Sequence, residues 1–128
     1  MATFEIEGIP QLRAALERAK DRAPQAMAAA LLIEAEGAMR ESRELVPVDT
    51  GALRGSGVVL PPEITMTGVS VELGYGGTAA DYAVIQHERT DLSHTVGQSH
   101  FLSQPVLQRA SGMGNRMAAT VRRFLERR

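Results

Sequence analysis

The stretch SGVVLPPEITMTGVSVELGY, residues 56–75, decides the fold class. It is rich in β-branched residues and punctuated by Gly and Pro, the texture of short strands rather than of helix. Ile64 and Met66 share one phase of alternation, and Val69, Val71 and Leu73 share the other. The phase slips across Thr67-Gly68, as at a hairpin turn or bulge, so antiparallel strands are expected here. Gly74-Tyr75-Gly76-Gly77 then reads as a strand ending in a turn, because it lacks the lysine and the following helix of a phosphate-binding loop.

Upstream the period changes to that of helices. Thr3 to Glu7 alternates, with Phe4 and Ile6 on one side, which predicts a short strand ended by Gly8. Pro10 suits a first helical position, and Ile9, Leu12, Leu16 and Ala19 recur at helical spacing behind it. Pro24 interrupts the pattern. Met27, Leu31, Ala35, Ala38 and Met39 resume it, giving a second helix that ends before Pro47. Glu34 and Glu36, like Glu5 and Glu7, are expected to face water.

Downstream, Tyr82 to Gln86 reads as a further strand. Residues 87–100 are polar and without period, and are expected to form a long loop of the kind that carries binding or assembly contacts. Ser103 as N-cap and Pro105 in the first turn open a final amphipathic helix through Val106, Ala110, Met113, Met117, Val121 and Phe124. Gly112 and Gly114 each cost about 1 kcal/mol in a helix interior, so a kink or break is expected there. The sum is one α+β domain over residues 1–128: N-terminal helices, a small antiparallel sheet, and a long C-terminal helix packed on the sheet.

Composition narrows the function. A chain of 128 residues can bury one core. It has no cysteine, which removes disulfides, thiolate nucleophiles and cysteine-ligated zinc together. No apolar run approaches the ~20 residues of a bilayer crossing, and the N-terminus lacks the pattern of a secretory signal, so synthesis in the cytoplasm without a membrane partner is expected. A net charge of -1 offers no general attraction to nucleic acid. Lys20 is the only lysine among the 14 basic residues, a bias shared by GC-rich genomes and by interfaces built on planar carboxylate pairing.

Candidate chemistry is sparse. His87, His94 and His100 lie close in sequence to Glu88 and Asp91, the ingredients of a metal-dependent hydrolase. In HERTDLSH, however, the second histidine falls seven positions after the first, not the four of a helical zinc motif. Surface or interface histidines are the preferred reading. Ser56, Ser93, Ser99 and Ser103 lack the elbow of a serine nucleophile. No catalytic residue, cofactor or metal ligand is therefore expected.

Two stretches say more. VPVDTGALRGSG, residues 46–57, resembles the signature of the bacteriophage tail-component family of long-tailed, lambda-like phages, whose members are also called tail-completion, neck or minor capsid proteins. Its core, P-x-D-T-G-x-L-R-x-S, falls on Pro47, Asp49, Thr50, Gly51, Leu53, Arg54 and Ser56. The second stretch, YAVIQHERTDLSHTVGQSHFLSQPV, residues 82–106, is similar to the family's downstream pattern of a Tyr-Ala strand, an acidic step, a polar loop and a Phe-Leu start to the last helix.

The resemblance implies a virion structural protein rather than an enzyme. It would be a head–tail neck subunit whose copies form a ring, with portal, adaptor or stopper proteins on one side and the tail terminator or tail tube on the other. Within the motif, Asp49 and Arg54 can pair, Thr50 can cap the turn, Gly51 lets it close and Leu53 anchors it. Tyr82, Gln86, His87, Glu88, His94, Gly97, His100 and Phe101 are the expected assembly residues. A hydrolase using the histidine stretch, or contact of the terminal arginines with genomic DNA, are the alternative readings.

Overall fold

The computed structural model describes residues 2–46, 55–76, 82–88, 91–96 and 100–126. Strand β1 (Ala2–Glu5) leads into helix α1 (Ile9–Ala19), and a short 3-10 turn (Lys20–Arg22) joins it to helix α2 (Ala23–Leu45). Strands β2 (Val58–Val59), β3 (Glu63–Ile64), β4 (Gly68–Gly74), β5 (Tyr82–Glu88) and β6 (Asp91–Val96) follow, then helices α3 (His100–Ala110) and α4 (Met113–Glu126). This is the expected α+β class. Among the described residues, no helix is long and apolar enough to cross a membrane.

The strands form one antiparallel sheet in the order β1-β6-β5-β4-β2, with β3 also pairing β4. Val69, Val71 and Leu73 on β4, with Ala83 and Ile85 on β5, are buried, while Glu72 is exposed. This is the alternation of a sheet with one face on a core. The core face meets α2, whose Met27, Leu31, Ala35, Ala38 and Met39 are buried as their spacing predicts. Helices α1 and α4 pack on each other and on α2, while α3 packs between α2 and the β5–β6 strands.

Two corrections concern the stretch from His87 to Pro105. Residues 91–96 are not loop: β6 pairs β5 on one side and β1 on the other, placing Leu92 opposite His87 and His94 opposite Ile85. Its alternation escapes a hydropathy reading because His94 interrupts the apolar phase of Leu92 and Val96. Helix α3 begins at His100, so Ser103 is inside it and Pro105 is the sixth residue rather than part of the first turn. Burial outranks the helix-breaking tendency, since Leu102, Val106 and Pro105 itself are buried. Pro24, by contrast, opens α2 at a position where its missing N–H costs nothing.

The break near Gly112 is present, with Gly112 at φ +76 between α3 and α4. Gly114 has a different cause. Its N–H donates to the Glu7 carbonyl at 2.8 Å, and a Cβ there would stand 2.3 Å from that oxygen. Gly8, at φ +89, faces it. The starts of α1 and α4 are thus in backbone contact, while at their far ends Arg22 lies over the Phe124 ring at 5.8 Å. The two helices run parallel.

Candidate assembly surface

The expected structural motif is only partly in view: Pro47, Asp49, Thr50, Gly51, Leu53 and Arg54 lie outside the described residues, while Ser56 lies within them. The flanks of the motif are tied down. Val46 is buried, the Gly57 carbonyl accepts a 2.8 Å hydrogen bond from Arg43 Nη2, and Ser56 Oγ accepts one of 2.8 Å from the Gly76 N–H. Gly57 lies against Tyr75, where a Cβ would come within 3.0 Å of the ring.

Tyr75 is buried and donates its hydroxyl proton to Ser42 Oγ at 2.7 Å, joining the end of β4 to α2. Phe101 packs edge-to-face on it, with centroids 5.2 Å apart and planes at 81°. The proposed interface residue Phe101 therefore has a packing partner within its own chain. Tyr82, Gln86, His87 and Glu88 lie on β5, His94 on β6 opposite Ile85, and His100 opens α3; Gly97 is outside the described residues. Gln86 and His87 project to opposite faces, so the set does not form one patch.

His87 stands with Val69 at the helix-side margin of the sheet. It borders a groove of about 440 Å3 between the β3–β4 hairpin and the α1–α2 corner, where Arg13, Leu16, Glu17, Met27 and Met66 also contribute. The hairpin is well built: the Thr65 N–H donates to the Gly68 carbonyl at 2.8 Å, and the Thr67 N–H to Thr65 Oγ1 at 3.3 Å. It holds Met66 at the tip, 89 % exposed. Val58, Leu60 and Ile64 along the same rim are about half exposed. Pro61 and Pro62 interrupt this rim and remove N–H donors from it, which blunts it against random strand addition.

Among the residues whose side chains are described, which leave out Glu88, Asp91, His94 and His100, no group of three His, Asp or Glu residues is placed to hold a metal ion. The backbone register puts Glu88 opposite Asp91, and His94 on the strand beside His87.

The sequence reading missed a buried polar centre. Glu34, expected in water, is 3 % exposed and receives Arg109 Nε at 3.3 Å and Arg116 Nη2 at 2.8 Å. Arg109 Nη1 also reaches Glu41 at 2.8 Å. Arg116 Nη2 further donates to the Arg109 carbonyl at 2.6 Å, near the end of α3. The hydrogen bond to Glu34 raises the Arg116 pKa above the ordinary guanidinium value; burial opposes this, and attraction to Glu34 and Glu41 adds to it. Gly37 makes room for this centre, since a Cβ there would stand 2.6 Å from Arg109 Cζ. The signal was present: Glu34 lies three residues after Leu31 and four before Ala38, inside the buried stripe of α2.

No protein-family model, curated protein or solved structure matches this chain.

Proposed function

We propose that this protein is a structural subunit of a tailed-phage particle, acting in the head–tail neck as a tail-completion or head–tail joining protein. In this reading its copies form a ring that meets portal-side connector proteins on one face and the tail terminator or tube on the other. The observation that carries the reading is the P-x-D-T-G-x-L-R-x-S pattern from Pro47 to Ser56, followed at matching distance by the stretch from Tyr82 to Val106.

The fold supports it in one respect. The two stretches, far apart in sequence, converge on Tyr75: Gly57 lies against one part of the ring and Phe101 packs on it edge-to-face. The rim of exposed Val58, Leu60, Ile64 and Met66 adds an apolar surface of the kind that assembly covers.

Electron microscopy of particles from a strain lacking the gene, with complementation in trans as control, tests the proposal. Full heads accumulating beside unjoined, malformed or absent tails are expected. Normal infectious particles from the deletion strain would overturn it.

A further inference from the structure

The strands of this fold carry charge of one sign. Its strands contain no lysine or arginine but five acidic residues: Glu5, Glu63, Glu72, Glu88 and Asp91. The register sets all of them in one class of position. Glu63 pairs Ser70, Ser70 pairs Gln86, Gln86 pairs Ser93 and Ser93 pairs Glu5, so these share a row across the sheet. Glu72 lies two residues from Ser70, and Glu88 two from Gln86, with Asp91 opposite Glu88. Because strand positions alternate with a period of two, every acidic position of the sheet belongs to the face away from α2.

Among the described side chains that outer face is open. Glu63 and Glu72 are exposed, Ser70, Val84 and Gln86 are only half-buried, and Val58 and Leu60 add exposed apolar surface in the same phase as Glu72. Among the described residues, a cluster of basic side chains lies at the far ends of α1 and α4. Parallel α1 and α4 end together, and Arg18, Lys20, Arg22, Arg122 and Arg123 are exposed there, outnumbering the acids Glu17, Asp21 and Glu126.

We infer that the acidic outer face of the sheet docks on the basic α1–α4 pole of a second copy of this chain. Opposite charges on two different surfaces of one subunit favour a head-to-tail contact, which repeats from copy to copy and closes into a ring when the rotation permits. A two-fold contact of either patch with itself would instead set like charges against each other. The inference deepens the neck reading and rests on it for its biological setting, but it concerns the isolated chain and is tested there.

The experiment is sedimentation of the purified chain over a range of concentrations, at about 20 mM and about 0.5 M salt, conditions between which charge attraction is strongly screened. Two charge-reversed variants are compared with the parent: Glu63→Arg with Glu72→Arg, and Arg122→Glu with Arg123→Glu. The expected result is a mass that rises above 13.8 kDa with concentration at low salt and falls back at high salt. Each variant alone should associate at least about tenfold more weakly, and an equimolar mixture of the two should recover association. Circular dichroism of each variant separates loss of contact from loss of fold.

A parent chain that stays monomeric at low salt overturns the inference. So does association that survives both reversals, or a mixture that fails to recover it. None of these outcomes touches the neck reading, which the deletion strain decides.

Discussion

Glu34 and Met66 each reverse the usual partition of side chains, one a carboxylate taken into the interior and the other a large apolar group held out in water. The difference lies in what surrounds them. Glu34 is enclosed by Arg109, Arg116 and the bare backbone of Gly37, a junction in which each part is shaped to its neighbour. Met66 sits on a hairpin whose hydrogen bonds are all local, beside a groove that nothing in the described chain fills. The first region is finished within the subunit. The second has the character of a surface completed by assembly.

If that contrast is right, substitutions at the helix junction should lower stability and leave nothing for assembly to reveal, while substitutions at the rim should do the opposite. Gly114→Ala should have the largest effect. The added methyl would meet the Glu7 carbonyl and the Gly8 backbone at under 2.6 Å, and neither can swing aside as a side chain would. A loss of about 3 kcal/mol or more is expected, or failure to fold, measured by urea unfolding. A loss under about 1 kcal/mol would mean that α1 and α4 can separate freely at this end.

Glu34→Gln comes next. It keeps the shape but removes the charge that two guanidinium groups share, leaving Arg109, at 16 % exposure, with Glu41, itself 41 % exposed, as its remaining carboxylate. Arg116 is 42 % exposed and partly recovered by water, so the expected loss is about 2 kcal/mol rather than the 3–5 of a fully buried pair. The pH dependence has a definite sign. Folding raises the Arg116 pKa, so its contribution is complete below the unfolded guanidinium value and declines only as pH rises through the higher folded one. Across about pH 6 to 10 the parent and Glu34→Gln should therefore differ by a constant margin in melting temperature, as far as Arg116 is concerned.

Much of the fold was legible because local pattern and tertiary burial agree. Val69, Val71 and Leu73 alternate in sequence and are buried in register, and the stripe of α2 from Met27 to Met39 does the same at helical spacing. The misreadings arose where residue type was weighed above phase. Glu34 was assigned to water for being a glutamate, though its place in the stripe set it against α3 and α4. β6 was hidden by His94, and the start of α3 by Pro105, whose cost is outweighed by burial of the residues around it. The sheet's charge sorting was beyond local reading, because only the pairing of strands far apart in sequence brings Glu5, Glu63 and Glu88 to one face. The expected assembly residues rest on the family resemblance and the polar stretch after Tyr82, neither of which tells the two faces of a strand apart: Gln86 and His87 fall on opposite faces of β5, and Phe101 packs on Tyr75.

Met66→Ser should have the smallest effect on the isolated subunit and is the sharpest test of the contrast. A side chain already 89 % in water has little burial to lose, and the hairpin around it is held by Thr65, Thr67 and Gly68. Unfolding free energy should stay within about 0.5 kcal/mol of the parent. Under the neck reading the same substitution should still reduce the fraction of joined particles counted by electron microscopy when it replaces the parent gene. A stable subunit with fewer joined particles would place the work of Met66 between molecules, whereas a stable subunit with normal particles would leave the hairpin tip without a role in joining.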